Sequence, residues 1–356
     1  MPTMKRVGLK ALLVALALAV LAAACTDSGD GAEESAPDED GSPAVPESTA
    51  SPGSTADLRL VTLNLLHGLP YVACAPDSDS CQAADRLDGL FALIEDEASC
   101  PDVIGLQEIG PEQKEMIPDQ LADLCEGVYA MLFEDEGSVD ETMVLTSLPV
   151  VEHRSVDLSG PPWTAHWARL ESDLGPVDFL TTHFASDSYN PDCTPEVCSP
   201  VCPTGVEMGT CNAIEVVHFL DENADPDGVT IVTGDLNQSL DHPRIRTITD
   251  AGYRDVWLEA GNPECDPATG VGCTCCIEGN DGLEGLATPE KTFSSRIDFV
   301  LVRAPDACEL AVDSPDDGDG DGTATAVFAG DPLDPPINGV YWASDHAGVQ
   351  ADLSCA

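Results

Sequence analysis

Residues 230–238, T-I-V-T-G-D-L-N-Q, combine an apolar segment with two polar side chains that can do chemistry. Ile231 and Val232 are β-branched and apolar, as in a buried strand, and Asp235 and Asn237 follow where that strand would end. On an extended backbone, side chains two residues apart point the same way, so both oxygens can face one phosphate or one hydrated metal ion. The alternative is a strand followed by an ordinary Asx turn.

Six further polar residues lie in or beside other apolar segments of strand type. They are Asn64, Glu108, His183, Asp298, Asp345 and His346. Burying an unpaired polar group costs several kcal/mol, so eight such groups scattered independently would strongly destabilise a core. If they converge instead, each supplies a partner for another. Hard oxygen ligands suit Mg²⁺ or Mn²⁺ and a His–Asp pair can serve an attacking water, so the set fits metal-assisted phosphoester hydrolysis.

The segments that must position these residues first alternate between strand and helix patterns. Leu87, Leu90 and Ile94 recur at helical spacing, which predicts a helix over one face of a sheet. Asn64 and Glu108 each follow an apolar run that predicts a buried strand. We predict strands at residues 57–64 and 102–107 and helices at residues 85–97 and 111–125.

Short strands with polar turns dominate the middle of the chain, and this pattern is typical of antiparallel hairpins in a sandwich. We predict strands at residues 129–133, 142–146, 150–157, 164–171 and 177–182, the last of them closed by His183. Further along we predict a helix at residues 213–222, the strand before Asp235, a helix after His242, a strand at residues 295–302 containing Asp298, and a final strand after His346.

Six short motifs occur in a characteristic order over residues 57–353. They are the N-terminal strand with Asn64, D-V-I-G-L-Q-E, T-T-H-F-A-S, V-T-G-D-L-N, S-R-I-D-F-V and S-D-H. In this set the chain resembles the endonuclease/exonuclease/phosphatase superfamily with the deoxyribonuclease-I-like fold. The resemblance implies an α/β (α+β) four-layer sandwich, in which two mainly antiparallel sheets pack face to face and helices lie outside.

The resemblance also implies a role for each polar residue. Glu108 is the expected principal ligand of Mg²⁺ or Mn²⁺, with Asn64 and Asp345 near the ion. His346 is the expected general base that prepares a water, oriented by Asp298.

The remaining three residues are expected to act on the phosphate. Asp235 and Asn237 would position the nucleophile and the scissile phosphate, and His183 would bind the phosphate or the leaving group. The other histidines match no motif and are expected to be surface or satisfied core residues: His67, His153, His166, His218 and His242.

Net charge restricts the partners. The chain has 65 Asp and Glu against 14 Lys and Arg, and residues 1–24 hold three of these bases and no acid, which leaves −54 for the rest. Such a surface repels polyanions, so binding of nucleic acid through a broad basic footprint is disfavoured, although bound divalent cations can invert the local field. The bases available to a flanking strand include Arg86, Arg154, Arg169, Arg244, Arg246, Arg254, Arg296 and Arg303.

The N-terminal region predicts export. Residues 1–24 place basic residues before an apolar run, as in a secretory signal peptide, and the small residues before Cys25 resemble a bacterial lipoprotein cleavage box. Acylation of Cys25 would anchor the protein to a membrane, whereas ordinary cleavage near Ala24 would leave a free thiol. We therefore expect a signal peptide at 1–24, Cys25 and a disordered acidic Ser/Pro-rich tether at 25–56, and one enzymatic domain at 57–356.

Fourteen cysteines besides Cys25 predict disulfides in an oxidising compartment. The clusters at residues 193–211 and 265–276 lack two matched C-x-x-C pairs, so disulfide-stapled loops are favoured over zinc sites. Asp317, Asp319 and Asp321 mimic the first half of a Ca²⁺-binding loop, but the twelfth position is Phe328. A solvated insertion is the alternative to a structural Ca²⁺ site there.

The sequence thus predicts an exported, divalent-metal-dependent phosphodiesterase, lipid-anchored at Cys25 in a bacterial cell envelope or extracellular, and a monomer. A nuclease-like substrate is favoured. The alternatives are a phospholipid phosphodiesterase of the sphingomyelinase type and a catalytically silent surface-binding module on the same fold. Substrate specificity would lie in the two cysteine-rich insertions.

Overall fold

A computed structural model of the protein describes residues 56–66, 83–134, 141–160, 162–277, 283–304, 324–328 and 332–355. The predicted signal peptide, Cys25 and nearly all of the predicted tether lie outside these residues. The acidic loop with Asp317, Asp319 and Asp321 also lies outside them. What the sequence predicts for those segments therefore stays a prediction.

The first sheet delivers two of the predicted site residues to one end. Its strands are β1 (Ala56–Asn64), β2 (Val103–Ile109), β3 (Ala130–Leu132), β4 (Glu141–Thr146), β11 (Ala324–Val327) and β12 (Gly348–Cys355), in the order β11-β12-β1-β2-β4-β3. The β1–β2 pair is parallel and the other pairs are antiparallel. Because parallel strands end at the same edge, Asn64 and Glu108 are brought together there.

The second sheet repeats this arrangement. Its strands are β5 (Val150–Asp157), β6 (Thr164–Ser172), β7 (Gly175–His183), β8 (Val229–Asp235), β9 (Arg254–Asp255) and β10 (Asp298–Arg303), in the order β5-β6-β7-β8-β10-β9. Its parallel pair is β7–β8, which places His183 beside Asp235. Because β10 runs antiparallel to β8, its first residue, Asp298, lies opposite Asp235.

The two sheets pack face to face over an apolar core. Leu60 from the first sheet and Phe179 and Ile231 from the second belong to one fully buried cluster. Gly105 in β2 lies where the second sheet comes close, since a Cβ added there would come within 2.7 Å of the Thr181 hydroxyl oxygen. The alternation of apolar residues that predicts the strands is thus also what fills the space between the sheets.

Helices form the two outer layers. They are α1 (Ala83–Asp96), α2 (Pro111–Leu121), α3 (Met208–Asn223), α4 (Pro243–Asp250) and two single-turn helices, α5 (Val256–Glu259) and α6 (Leu283–Leu286). Ile94 and Ile117 pack with Leu63 on the first sheet, and Val216 packs with Val232 on the second. The four-layer sandwich with mainly antiparallel sheets is confirmed. Within the described residues, no helix has both the length and the apolar composition needed to cross a bilayer.

One helix is shorter than its sequence pattern predicts. The helix expected to reach Cys125 ends at Leu121, and a short 3-10 turn, Leu124–Gly127, follows it. Cys125 has a left-handed φ of 48° and lies at disulfide distance from Cys100 in the loop before β2. A left-handed residue cannot continue an α-helix, so this cross-link and turn set the helix end.

The strand predicted from residue 295 begins three residues later, at Asp298. Ser295 instead makes a single bridge to Cys275, in the cysteine-rich segment before it. Helix α3 begins at Met208, earlier than its apolar spacing suggests. Both differences arise next to cysteine-rich segments, whose tertiary contacts compete with local propensity.

Ten of the described cysteines form pairs at disulfide distance. The pairs are Cys100–Cys125, Cys193–Cys198, Cys202–Cys211, Cys265–Cys273 and the neighbours Cys275–Cys276. In both cysteine clusters, residues 193–211 and 265–276, each cysteine is therefore paired with another cysteine of the same cluster. Cys193 and Cys211 pack in the cluster of the second sheet, and Cys275 is hydrogen-bonded to Ser295 in the segment leading into Asp298.

Candidate active site

The strand ends bring all eight predicted polar residues to one end of the sandwich. Asn64 lies at their centre and connects the two sheets. Its Nδ2 atom donates to Glu108 Oε1 at 2.9 Å and to Asp235 Oδ2 at 3.0 Å, and its Oδ1 atom accepts from the Leu66 amide at 2.9 Å. Asn64 is fully buried, so these bonds satisfy an amide that would otherwise destabilise the interior.

Glu108 reaches the site through an irregularity in β2. Its φ is +57°, and the pairing of β2 with β4 shifts register between Leu106 and Ile109. A bulge of this kind redirects one side chain without ending the strand, and a left-handed non-glycine residue is a strained conformation that clusters at functional sites. The backbone thus turns the Glu108 carboxylate toward Asn64 rather than into the core.

His183 and Asn237 form a second unit of the site. Asn237 Nδ2 lies 2.8 Å from His183 Nε2 and donates to the Phe184 carbonyl at 2.9 Å. His183 Nε2 also lies 3.6 Å from Asp235 Oδ2 and 3.7 Å from Glu108 Oε1. Because the amide nitrogen is a donor, this contact is a hydrogen bond in the tautomer of His183 whose Nε2 atom carries no proton.

The turn after β8 is an Asx turn that still places Asp235 and Asn237 in one site, so each of the two interpretations of its sequence is partly correct. Asn237 is left-handed, with φ +55°, rather than extended, and its backbone amide donates to Asp235 Oδ1 at 2.7 Å. This is an Asx turn, so the expectation that both side chains project from one extended strand is wrong in its geometry. The turn nevertheless brings the Asn237 side chain against His183, so both side chains lie in the same site.

His346 and Asp298 form a buried dyad. His346 Nδ1 lies 3.0 and 3.1 Å from the two Asp298 oxygens, and both side chains are at least 94% buried. Burial alone lowers the pKa of His346, but the carboxylates of Asp298, Asp345 and Asp235 outweigh this effect and raise the pKa well above its usual value. With Nδ1 committed to Asp298, Nε2 is the atom left to act on a reactant.

Four carboxylates, those of Glu108, Asp235, Asp298 and Asp345, crowd this end of the sandwich. Burial raises the pKa of Asp235 to about 6, and burial together with the nearby Glu108 carboxylate raises that of Asp345. Asp345 Oδ1 is buried and has no hydrogen-bond partner among the described residues. A hard divalent cation would satisfy such an oxygen and relieve the repulsion, so the residues present fit Mg²⁺ or Mn²⁺.

The cysteine-rich segment before β10 supplies residues that the sequence does not identify. Thr274 Oγ1 donates to Asp298 Oδ2 at 2.7 Å, and Cys275 Sγ lies 3.3 Å from His346 Nε2. No periodicity or motif marks Thr274, because its contact joins segments 24 residues apart. The neighbouring cysteine pair was a visible signal, but only of a disulfide.

Two buried arginines bind the backbone next to the site residues. Arg86 donates to the carbonyls of Leu65, Leu66 and Ala343, which lie next to Asn64 and just before Asp345. Arg244 donates to the carbonyls of Ala185, Leu236 and Asn237, beside His183 and Asp235. Arg86 stands four residues before Leu90 on the buried stripe of α1, a spacing that could have indicated its burial.

Most of the candidate arginines are buried or paired with an acid. Arg86, Arg244 and Arg296 are buried, and Arg296 pairs with Asp255 at 2.8 Å. Other arginines pair with acids on the surface or near it: Arg169 with Asp178, Arg246 with Asp241, Arg254 with Glu259 and Arg303 with Asp221. The expectation that such arginines are available to a flanking strand is therefore wrong for the buried ones.

Among the histidines without a motif, His218 is near the surface beside Glu222, and His242 caps α4. His166 is a partial exception to the expectation of satisfied core residues, because it is buried while its Nε2 atom has no hydrogen-bond partner in the described part of the chain. Burial, with His153 stacked beside it, lowers the pKa of His166 to about 4.

Solved structures with the same fold include proteins from bacteria and animals. An endonuclease/exonuclease/phosphatase family protein from Bacteroides thetaiotaomicron is 15% identical, with a TM-score of 0.57 over 85% of this chain and 100% of its own. TDP2 from D. rerio, solved with a single-strand DNA product, is 16% identical, with a TM-score of 0.53 over 83% of this chain and 98% of its own. Truncated TDP2 from Caenorhabditis elegans is 16% identical, with a TM-score of 0.53 over 84% and 98%.

No curated protein matches the chain by sequence. The profile of the Endonuclease/Exonuclease/phosphatase family matches residues 61–346, which spans the strand of Asn64 through His346. Proteins of this family are generally hydrolytic phosphoesterases that use divalent metals. On the match over most of its length and the four-layer sandwich, this chain belongs to the Endonuclease/Exonuclease/phosphatase family.

Proposed function

We propose that the protein is an exported, divalent-metal-dependent phosphodiesterase in which water is activated by His346 and Asp298. The observation that carries this proposal is the placement of His346 Nε2, which faces Asp235 Oδ2 at 3.9 Å and Asp345 Oδ1 at 4.0 Å. These separations are too long for direct hydrogen bonds and suit a water between the groups. A water there can give its proton to Nε2 while Asp298 stabilises the resulting imidazolium.

Glu108 and Asp345 would hold the metal ion, with Asn64 fixing the Glu108 carboxylate. When bound, a divalent cation would supply charge neutralisation and Lewis acidity, and would offset the carboxylate field that raises the pKa of His346. Asp235, bonded to the Asn64 amide and to the Asn237 backbone, would orient the attacking water.

His183 and Asn237 would contact the phosphoryl group. Both are held before substrate arrives, because Asn237 is fixed through Phe184 and the Arg244 guanidinium binds the Asn237 carbonyl. Trp163 packs edge-on against the His183 ring at 5.1 Å between centroids, which restrains its orientation. Positioned donors lower the barrier because they need no reorganisation during reaction.

The acidic surface favours a substrate that the protein contacts at a single phosphodiester group over a long polyanion that it would have to contact along its length. The chain carries a formal charge of −51, and the paired or buried arginines leave little basic surface in the described residues. We therefore propose a nuclease-like activity on short or single-stranded substrates. A phospholipid headgroup is the second substrate class, because the proposed lipid anchor at Cys25 and the tether at residues 25–56 would hold the site beside a bilayer of the cell envelope.

A panel of phosphodiesters tests the proposal. Bis-p-nitrophenyl phosphate, plasmid DNA, RNA and sphingomyelin are each incubated with Mg²⁺, Mn²⁺, Ca²⁺ or a chelator, using wild type, His346→Ala and Glu108→Ala. His218→Ala, a change at an exposed histidine outside the site, is the matched control. We expect metal-dependent turnover that both site variants lose and the control keeps.

The outcomes separate the candidate functions. The preferred substrate names the class, nucleic acid or phospholipid. Undiminished turnover in Glu108→Ala contradicts the metal site. If folded wild type turns over none of the four substrates with any metal, the protein is the silent binding module instead, and the intact set of site residues argues against that outcome. A monomer is expected, which light scattering of the purified protein measures.

A further inference from the structure

The neighbouring cysteines Cys275 and Cys276 form a cluster with the proposed base. Cys275 Sγ lies 3.3 Å from His346 Nε2, and His346 Nδ1 lies 3.0 Å from Asp298 Oδ2. A sulfur, an imidazole and a carboxylate are therefore aligned in one chain of contacts. Cys275 is fully buried whereas Cys276 is accessible to solvent, so Cys275 contacts the proposed base and Cys276 is the residue of the pair that a reductant can approach.

We propose that Cys275–Cys276 is a thiol–disulfide exchange site that takes a small dithiol reductant, and that its reduced form inhibits the phosphoesterase by occupying His346. The proposal rests on the proposed function, because it assigns His346 Nε2 as the atom that accepts the proton of water. It adds a second reactive site to the chain and a redox condition for activity.

The backbone holds Cys275 beside His346 independently of the disulfide. The amides of Thr274 and Cys275 both donate to the Ser295 carbonyl at 2.8 Å, and the Ala347 amide donates to the Thr274 carbonyl at 2.7 Å. The Ile277 amide donates to the Asp345 carbonyl at 3.1 Å. The segment is thus fixed to the residues on both sides of His346, so reduction changes the chemistry of Cys275 Sγ more than its position.

The exchange begins at the exposed sulfur. A thiolate of the dithiol attacks Cys276 Sγ, the bond between the two protein sulfurs breaks, and its electron pair passes to Cys275 Sγ, which is protonated. The second thiol of the reductant then displaces Cys276 as a thiol. The protein disulfide has gained two electrons and two protons, and the dithiol has become a disulfide. Attack at Cys276 is favoured because Cys275 is inaccessible.

Reduction changes what His346 Nε2 can accept. A disulfide sulfur carries no proton, so in the oxidised form Cys275 Sγ cannot donate to the Nε2 lone pair of the neutral imidazole that acts as the base. A Cys275 thiol can donate to that lone pair at the observed separation and competes with the water. A net hydrogen bond of ordinary strength corresponds to a roughly 3- to 10-fold reduction in turnover.

Limited reduction of the full-length protein tests this. Aliquots are treated with increasing dithiothreitol, and each is divided between turnover of bis-p-nitrophenyl phosphate and alkylation with peptide mapping of every cysteine. We expect turnover to fall roughly 3- to 10-fold as Cys275 and Cys276 become alkylated, and to return after oxidation with a small disulfide.

Double variants test whether the inhibition depends on a hydrogen-bond donor at position 275. In Cys275→Ala/Cys276→Ala no donor faces His346, so turnover should not respond to dithiothreitol. In Cys275→Ser/Cys276→Ala a hydroxyl donor is permanent, so turnover should be low with or without reductant. Cys193→Ala/Cys198→Ala removes another short-range staple and should keep the response of wild type.

Three results would overturn the proposal. They are a different partner for Cys275 in the oxidised protein, turnover that changes less than about twofold when both sulfurs are reduced, and a reductant response that persists in the double alanine variant. A further readout is independent of turnover: the imidazole ¹⁵N resonance of His346, assigned by its loss in His346→Ala, should shift on reduction. If no substrate is turned over, the proposed function fails, and this resonance still decides whether the thiol contacts His346.

Discussion

Replacing Asp298 with asparagine tests the dyad most directly, because the two side chains have the same shape. Asp298 Oδ2 accepts from Thr274 Oγ1, a hydroxyl that can also accept. The nitrogen of the introduced amide can therefore face Thr274 while its oxygen, in the position of Asp298 Oδ1, still accepts from His346 Nδ1 at 3.1 Å. The Asp298→Asn variant then keeps the packing and the orientation of the imidazole and loses the negative charge.

The expected magnitude follows from that charge. Hydrogen bonds to charged groups contribute about 1.5–3 kcal/mol, and the buried carboxylate of Asp298 lies 3.0 Å from His346 Nδ1. If the charge stabilises the imidazolium formed as water attacks, kcat should fall roughly 10- to 150-fold with little change in KM. Thr274→Val removes a hydroxyl that bonds to Asp298 but leaves the carboxylate beside His346, so it should lower kcat by only about fivefold.

Steady-state hydrolysis of bis-p-nitrophenyl phosphate with Mg²⁺ or Mn²⁺ measures both parameters, and thermal unfolding checks that each variant is folded. Asp221→Asn, an exposed carboxylate paired with Arg303, is the control and should leave kcat unchanged. Because Thr274 acts through Asp298, Thr274→Val should have less effect in the Asp298→Asn background. A folded Asp298→Asn protein with kcat within about threefold of wild type refutes the role of the dyad.

Three further predictions concern packing, pH and export. Gly105→Ala should lower the free energy of unfolding by about 1–3 kcal/mol, because the added Cβ would collide with Thr181. Urea titration measures this, and an unchanged midpoint of urea unfolding would contradict it. The pKa of His166 is about 4 in the folded protein, below its ordinary value near 6.5. Between these two pH values the unfolded state binds more protons than the folded state. The free energy of unfolding should therefore fall by up to about 3 kcal/mol as the pH drops from 6.5 to 4. His166→Leu should flatten the pH dependence of urea unfolding, and an equally steep loss would exclude His166 as its source. Cys25→Ser should move the protein from the membrane fraction to the soluble fraction of its host, whereas unchanged fractionation would show that Cys25 is not the anchor.

The sequence predicted most elements because their apolar residues follow regular periods. Strand β5 has the predicted bounds, and the pattern of Leu90 and Ile94 correctly placed α1 over a sheet. Prediction was less accurate where a long-range contact sets a boundary. The helix predicted through Cys125 stops at Leu121 because Cys125 turns back toward Cys100, and nothing local to α2 indicates that partner.

The positions of the arginines are a second feature that the sequence did not predict. Composition correctly indicated an acidic protein with few bases, but it does not show where each base lies. Arg86 and Arg244 bind backbone carbonyls in the interior, where a planar guanidinium with five donors can join several chain segments. Those carbonyls belong to segments distant in sequence, so the arginines resembled surface bases until the chain was folded.

The sequence by itself determined the family, the layered fold and the eight polar residues at strand ends, because each lies beside an apolar run whose period is a local property. Only the tertiary structure decided how those residues meet. The parallel β1–β2 and β7–β8 pairs bring Asn64 against Asp235, and the cysteine-rich segment places Thr274 on Asp298 and Cys275 on His346. These contacts join residues 24 to 171 positions apart, a distance over which no local spacing carries information.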